Sequence, residues 1–320
     1  MINDALGILQ NAAEHGPQID LMLELVHWFM LILFVVWTTF FLYAIIRFRK
    51  SRSPKADYVG VTGPASTYGE VAVVIIEAVL LLGLAFPLWA KRVNEFPTGK
   101  DVIHVRVIAE QFNWNIWYPG PDGAFCKQDV NLVSSSNPLG RDKNDPDGKD
   151  DAITLNQMHL PVNRSVIVHL TSKDVIHSFA LRHMRITQDT IPGMNIPCWF
   201  KPIKTSAELR ENMAQTCPTK VSAIPPEKVV MGDYKGKDGT VLVSNLTSVT
   251  EEVISRLAAA GITEVRVAPE YPMEIACAQL CGNGHYKMRG FLTVESAEDY
   301  DKWLKEQQAN TAAGGGSGYE

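Results

Sequence analysis

Two long apolar runs near the N-terminus restrict what this chain can fold into more than any other feature of its sequence. The first covers residues 26–46, and the second covers residues 71–89 and contains one carboxyl group, Glu77. About twenty consecutive apolar residues cross a bilayer core, whereas a core helix of a soluble protein rarely stays apolar on every side for that length. Buried core helices are therefore the weaker alternative. We predict two membrane-spanning helices, at 26–48 and 67–90.

The predicted connection between these helices, residues 49–66, indicates their orientation. Five basic residues lie between positions 47 and 55. Short basic loops stay on the cytoplasmic side of a membrane. We therefore predict that the N-terminal segment 1–25 and everything after the second helix lie on the opposite, outer side.

Beyond residue 91 the sequence is typical of a mostly-β domain. Apolar and polar residues alternate at 102–108, 165–170 and 290–294, and turn-forming residues bound each stretch. Strands at this spacing favour a sandwich or barrel. We assign the domain to residues 91–205 and 267–305.

Three stretches depart from the strand pattern. Residues 134–151 are a polar loop, residues 206–266 are a small α+β insertion, and residues 306–320 have the glycine-rich composition of a flexible tail. The elements predicted within the insertion are a strand at 240–243, a helix at 250–260 and a strand at 264–267. The net charge of −5 provides no basic surface for nucleic acid, so we expect no nucleic-acid partner.

A cluster of potential metal ligands precedes the last predicted strand. Cys277, Cys281, His285 and Met288 lie within twelve residues of one another. Sulfur and imidazole donors favour copper or zinc over hard cations, and a thioether is a poor zinc ligand. Copper is therefore the preferred interpretation, with a zinc site or a Cys277–Cys281 disulfide as alternatives. The spacing suits two thiolates that each bridge two copper ions, and this arrangement needs a second histidine.

Three motifs resemble cytochrome c oxidase subunit II. Residues 277–288 resemble its C-x-E-x-C-x-x-x-H-x-x-M signature, and residues 111–119 (QFNWNIWYP) resemble its aromatic stretch. The segment from Asp174 to Phe179, followed by residues 188–193, resembles its upstream ligand segment. With the two apolar runs, the resemblance extends over nearly the whole chain outside 206–266.

The resemblance implies a fold and a metal centre. The fold is a two-helix transmembrane hairpin followed by a mostly-β cupredoxin-like barrel or sandwich with a small α+β insertion. The cofactor is a binuclear copper centre, CuA. The residues implied as its ligands are His177, Cys277, Cys281, His285, Met288 and, through its backbone carbonyl, Gln279.

The resemblance also implies a function and partners. The chain would be the electron-accepting subunit of a haem–copper oxidase in a bacterial inner membrane. Its copper centre would take electrons from a c-type cytochrome and pass them to haem in subunit I. That subunit would reduce oxygen to water and translocate protons, so this chain would hold no oxygen-reducing site.

Three departures from the family pattern qualify these implications. Gln279 replaces the signature glutamate, so an interfacial magnesium ion is doubtful. Phe112 replaces the tryptophan that accepts electrons in the family, so electrons would arrive through Phe112, Trp114 or Trp117, or from a tethered haem domain. The insertion is outside the minimal family pattern, and we expect it and the tail to contact other subunits of a larger respiratory complex.

Glu70 aligns with a family glutamate at the cytoplasmic mouth of a proton pathway. An acidic residue in a first helical turn is also ordinary, because it interacts favourably with the helix dipole, so both interpretations stay open.

Three other protein classes are less compatible with the sequence. A quinol oxidase subunit lacks the copper ligands. Nitrous oxide reductase is a soluble protein with an additional propeller domain. A copper-delivery protein needs no pair of bridging thiolates.

Overall fold

A computed structural model describes residues 2–56, 58–60, 63–134, 137–142 and 144–312. The chain divides into two compact units. The first comprises residues up to 10 together with 15–96, and the second comprises residues 11–14 together with the chain from residue 97 onward.

The first unit is helical. Its elements are α1 (Ile2–Ala5), α2 (Gly16–Arg47), α3 (Ala65–Ala78), a π-helical stretch (Val79–Ala85) and α4 (Phe86–Asn94). The last three form one continuous helix of 30 residues, and α2 has 32 residues. Both are long and apolar enough to cross a membrane, and their apolar stretches are not buried within the protein. Helix α2 begins at Gly16, ten residues before the predicted start, and Pro17 is compatible with this start because proline is well tolerated in a first helical turn.

The second unit contains fifteen strands within the described residues. They are β1 (Ile103–Glu110), β2 (Asn113–Tyr118), β3 (Ala152–Leu155), β4 (Gln157–Pro161), β5 (Val166–Ser172), β6 (His177–Leu181), β7 (Ile186–Thr190), β8 (Ile196–Phe200), β9 (Gln215–Pro218), β10 (Lys228–Val230), β11 (Tyr234–Lys235), β12 (Val241–Val243), β13 (Glu264–Pro269), β14 (Glu274–Cys277) and β15 (Arg289–Glu295). The strands predicted at 102–108, 165–170 and 290–294 are confirmed as β1, β5 and β15.

Ten of these strands form two five-stranded sheets, in the orders β3-β2-β1-β5-β8 and β4-β15-β14-β6-β7. The β1–β5 and β4–β15 pairs are parallel and the other pairs are antiparallel. Burial alternates strictly along β15, as expected of a strand with one face on a core. Trp114 and Val107 of one sheet share a buried cluster with Phe179 and Leu292 of the other. The main core therefore lies between the two sheets.

The insertion has a hydrophobic cluster of its own. Its sheet has the order β10-β13-β9, and β11 and β12 form a separate ribbon. Helix α6 (Glu251–Ala259) buries Leu257 against Val265 and Val267 of β13. The strand, helix and strand predicted within the insertion are confirmed as β12, α6 and β13. Helix α5 (Ser206–Asn212), at the start of the predicted insertion, instead packs Leu209 into the main core.

The C-terminal region corrects one prediction. Helix α7 (Ala297–Ala312) continues through residues 306–312, which we predicted to be part of a flexible tail. Its Trp303 stacks on His159, with 4.1 Å between the ring centroids, so packing against the β domain holds the helix. The rest of the predicted tail, residues 313–320, lies outside the described residues.

A long excursion, residues 119–151, connects β2 to β3. Although its sequence is polar, it buries Cys126, Asp145 and Asp151. The Cys126 N–H donates to Asp151 Oδ2 (3.1 Å), and the Lys127 N–H donates to Asp145 Oδ2 (2.8 Å). One oxygen of each carboxylate therefore accepts from a backbone donor, which offsets part of its loss of water.

Candidate metal centre

Strand pairing brings the two halves of the candidate site together. His177 is the first residue of β6, and Cys277 is the last residue of β14. These strands are antiparallel neighbours, with Phe179 opposite Cys277. The other candidate ligands lie on the loop from β14 to β15. That loop is closed at its base by a hydrogen bond from the Cys277 N–H to the Met288 carbonyl (3.3 Å).

The donor atoms converge around two sulfurs. The Sγ atoms of Cys277 and Cys281 are 3.8 Å apart. Cys277 Sγ lies 3.9 Å from His177 Nδ1 and 3.2 Å from the Gln279 carbonyl oxygen. Cys281 Sγ lies 3.5 Å from His285 Nδ1 and 3.8 Å from Met288 Sδ. The structure thus brings together every residue that the sequence predicted as a copper ligand.

The spacing of the sulfurs fits a shared metal ion. Two thiolates that bind one tetrahedral ion at about 2.3 Å lie roughly 3.8 Å apart. The nearest metal-binding atoms of His177, Cys277 and Cys281 all lie within 4.8 Å of one another. Sulfur and imidazole donors with a thioether suit copper better than a hard cation. The residues present therefore fit the copper centre that the sequence predicted.

The candidate site is shielded on one side and close to the surface on the other. His177, Cys281 and Met288 are buried, whereas Cys277 and His285 are half-buried. Two large side chains of the same loop face solvent: Leu280 is 78% exposed and Tyr286 is 77% exposed. A buried centre this close to exposed apolar side chains is accessible to a protein partner while most of its donors are kept from water.

Asp174 fixes the orientation of the buried imidazole. Its Oδ1 lies 2.8 Å from His177 Nε2, which leaves Nδ1 directed at Cys277. Burial opposes the charge on His177, but hydrogen bonds with Cys277 and Asp174 raise the pKa of the imidazole. Burial likewise opposes ionisation of Asp174, yet hydrogen bonds from His177 and the Gln111 N–H lower the pKa of that carboxyl. A carboxylate behind a ligand histidine is a common way to set the ring orientation.

The two thiols differ in acidity. Burial opposes ionisation of Cys277, but hydrogen bonds from His177 and backbone groups lower its pKa to about 6. Burial and the charge of Cys277 raise the pKa of Cys281 to about 11. Cys277 is therefore the more acidic of the two thiols, and a bound cation would displace the protons that the pair retains.

The three predicted electron-accepting aromatics occupy different environments. Phe112 is half-buried against the ligand loop, whereas Trp114 and Trp117 are 0% exposed. Trp114 points into the core, with its ring 6.2 Å from His177. Trp117 lies on the other face of β2 with Phe125 and the Arg106 guanidinium, as the alternation of a strand requires. Neither tryptophan therefore has the exposed position that the prediction requires.

The other predicted residues are exposed, and two residues that were not predicted contact the donor segments. Glu70 lies on α3, in the first unit, and is exposed. Gln279 contributes its carbonyl to the site, and the residue is exposed. No role was predicted for Asp174 or Gln111, although both lie in the motifs that carry the resemblance. An acid three residues before a ligand histidine was the available signal for Asp174.

Comparison with known proteins gives similarity to one family. Residues 103–205, which include His177, match the family described as cytochrome c oxidase subunit II, periplasmic domain. The alternative cytochrome c oxidase subunit 2 of Bradyrhizobium diazoefficiens is 26% identical over 299 residues, which cover 92% of this chain and 82% of that protein. Cytochrome c oxidase subunit 2 of Cereibacter sphaeroides is 25% identical over 195 residues, covering 55% of this chain and 62% of the relative.

Solved structures give a weaker similarity. The crystal structure of the periplasmic domain of subunit II of cytochrome oxidase from Bradyrhizobium japonicum is 18% identical, with a TM-score of 0.34. It covers 68% of this chain and 99% of the solved chain. The predicted fold class is confirmed by the family match together with the two apolar helices and the β-rich unit. This chain is therefore similar to cytochrome c oxidase subunit II, through the family match at residues 103–205 and through relatives that cover up to 92% of its length.

Proposed function

We propose that this chain is the electron-accepting subunit of a cytochrome c oxidase and that its β domain holds two copper ions. One observation carries the proposal: two sulfurs lie 3.8 Å apart, and each has its own imidazole nitrogen, at 3.9 and 3.5 Å. A single four-coordinate ion would be saturated by these four donors. The Met288 thioether and the Gln279 carbonyl then supply one further donor on each side, which suits a pair of ions.

The residues of the chain have distinct roles in this proposal. Cys277 and Cys281 would hold the two ions together with His177 and His285, which would supply one imidazole for each ion. Asp174 holds the His177 ring so that only Nδ1 faces the sulfurs. Burial of Cys281 and Met288 keeps water from the sulfurs. When bound, the copper pair supplies one-electron redox chemistry, and a cage fixed by two paired strands limits the change in geometry that accompanies it.

Exposed apolar side chains indicate where an electron donor docks. Val175 and Ile176 precede His177, Leu280 precedes Cys281, and Tyr286 follows His285; all four are exposed. Apolar contacts of this kind give short-range docking and little long-range attraction. We therefore infer a c-type cytochrome or haem domain that another subunit or a partner complex holds in place, so that effective concentration replaces electrostatic steering.

The remaining partners follow from the family. The electrons leave for haem in subunit I, which carries out oxygen reduction and proton translocation. The two apolar helices anchor the chain in a bacterial inner membrane, with both termini and the copper domain on the periplasmic side. The insertion and the C-terminal region contact other subunits. Glu70 serves a proton pathway. The interfacial magnesium site is weak or absent, because Gln279 stands where the family has a carboxylate.

Metal analysis and spectroscopy of the full chain in detergent test the proposal. We expect two copper ions per chain and an electron paramagnetic resonance spectrum in which one unpaired electron couples to both copper nuclei. Zinc in the site, or one copper ion per fully loaded chain, would overturn it.

A further inference from the structure

One residue outside the donor set is hydrogen bonded to both ligand-bearing segments. Gln111 and Phe112 form the connection between β1 and β2. The Gln111 backbone N–H donates to Asp174 Oδ2 (2.7 Å), and its side-chain Nε2 donates to the Cys281 carbonyl (2.6 Å). Asp174 belongs to the segment that ends at His177, whereas Cys281 belongs to the loop between β14 and β15.

Each of these hydrogen bonds ends close to a donor atom of the site. The other oxygen of Asp174, Oδ1, lies 2.8 Å from His177 Nε2. The carbonyl that accepts from the Gln111 side chain is that of Cys281 itself, whose Sγ lies 3.8 Å from Cys277 Sγ. A chain of four groups therefore runs from the imidazole, through Asp174 and Gln111, to the backbone of the buried thiol.

Close packing reinforces this connection. A Cβ atom added to Gly282 would lie 2.7 Å from Gln111 Nε2, and one added to Gly284 would lie 2.4 Å from the Phe112 ring. Gly282 also has a φ of +137°, which side-chain-bearing residues rarely adopt. The backbone of the ligand loop thus lies directly against Gln111 and Phe112, with no room for a side chain between them.

We propose that Gln111 is a positioning residue that ties the His177 segment to the Cys281 loop and so fixes the spacing of the donors. The inference rests on the proposed function, because it concerns how tightly the same site holds copper. Groups that orient metal ligands typically change metal affinity by about 10–100-fold when they are removed. On this basis Phe112 acts through its contact with the loop backbone, in addition to any part it has in accepting electrons.

Two variants of similar side-chain length separate hydrogen bonding from packing. Gln111→Met removes the donor without adding charge, and Gln111→Glu places an acceptor against the Cys281 carbonyl. Gln215→Met, on the exposed start of β9, is the matched control. The full chain would be loaded with copper in detergent, and its copper loss to a chelator followed by visible absorption. Circular dichroism would confirm that each variant is folded.

We expect copper loss about 10–100-fold faster in Gln111→Met than in the control, and faster still in Gln111→Glu. Faster copper loss in Gln111→Glu than in Gln111→Met indicates an effect of the hydrogen bond, because a change in packing alone would affect the two rates equally. Gln111→Asn keeps the amide but is one methylene too short to reach the Cys281 carbonyl, and it is the replacement if either variant does not fold; copper loss faster than in the control would again support the positioning role. Wild-type protein that holds no copper pair would refute the proposed function. A wild-type copper pair with rates in the Gln111 variants equal to those of Gln215→Met would refute the positioning role alone.

Discussion

The ligand loop (residues 277–288) and the β2–β3 excursion (residues 119–151) are both irregular connections that shield a cysteine from solvent, yet they treat that cysteine differently. Cys281 is surrounded by sulfur and imidazole donors. Cys126 instead has its Sγ 3.3 Å from the Lys127 carbonyl and 3.2 Å from the Asp142 carbonyl. The ligand loop directs its donor atoms at a common space, whereas the excursion pairs its polar groups with its own backbone.

The difference extends to acidity. His177 and backbone hydrogen bonds outweigh burial and lower the pKa of Cys277 to about 6, whereas burial raises the pKa of Cys126 even with Arg141 nearby. Shielding a thiol from solvent is therefore not enough to make it a ligand. A neighbouring imidazole that stabilises the thiolate decides between the two roles.

The largest expected effect separates the two cysteines directly. Cys281→Ser removes the sulfur that contacts Cys277, His285 and Met288, so we expect the two-copper spectrum to disappear. Cys126→Ser should keep two copper ions and lose only about 1 kcal/mol of unfolding free energy. Metal content and visible absorption of both variants provide the measurement. Loss of the copper pair in Cys126→Ser would mean that the excursion supports the site after all.

The excursion should show its own pH dependence. Burial raises the pKa of Asp151 to about 6, although the Cys126 N–H and Arg141 oppose the shift. An unfolded aspartate has a pKa near 3.9, so the folded state binds more protons between about pH 4 and pH 6. The free energy of unfolding should therefore fall as pH rises across this range, by up to about 3 kcal/mol.

Asp151→Asn tests this assignment, because an amide cannot titrate. Chemical denaturation at pH 4.5 and 7.5 should show that the variant loses less stability with rising pH than the wild type. Identical pH profiles for the two proteins would contradict the raised pKa. Copper content should be unchanged at pH 7.5, because Asp151 lies in the excursion and not in the ligand loop.

Asp174→Asn is expected to weaken the metal site without abolishing it. The variant removes the carboxylate charge that stabilises the orientation of His177, so copper affinity should fall by about 10–100-fold. Competition with a chelator gives the affinity, and Asp301→Asn, which changes an exposed carboxylate on α7, is the control. Equal affinities in the two variants would show that strand pairing alone orients the imidazole.

The smallest effect concerns a surface ion pair of the excursion. Lys127 Nζ lies 3.8 Å from Asp145 Oδ1, but the lysine side chain is 79% exposed. Exposed ion pairs contribute about 0–1 kcal/mol, so Lys127→Ala should change the free energy of unfolding by less than about 1 kcal/mol. The backbone N–H of residue 127 still donates to Asp145 in the variant. A loss well above that value would show that the lysine side chain, and not the backbone, compensates the buried carboxylate.

Much of this architecture follows from local sequence patterns. Alternation predicted β1, β5 and β15, and the sulfur and imidazole spacing predicted the loop that gathers the donors. Such patterns are sufficient where one face of a strand is buried or where ligands are close in sequence. They could not identify Gln111, because its two partners are 63 and 170 residues away along the chain.

One prediction was wrong and two structural features were not foreseen, each for a physical reason. Residues 306–312 have a polar composition, yet they continue a helix that Trp303 anchors to the β domain. The composition of 134–151 predicted a polar loop but could not show that Asp145 and Asp151 are buried there. Trp114 and Trp117 were both named as candidate electron acceptors, and because they are three positions apart they lie on opposite faces of β2.

The contact between Phe112 and Gly284 has a consequence for the sequences that this fold can accept. The Phe112 ring packs directly against Gly284, so a methyl group on residue 284 would overlap the ring. Substitution at either position therefore depends on the other: a larger residue at 284 requires a smaller one at 112. Among homologous chains, side-chain size at position 112 should therefore covary with side-chain size at position 284. A residue with a larger ring than phenylalanine at 112 should occur together with glycine at 284.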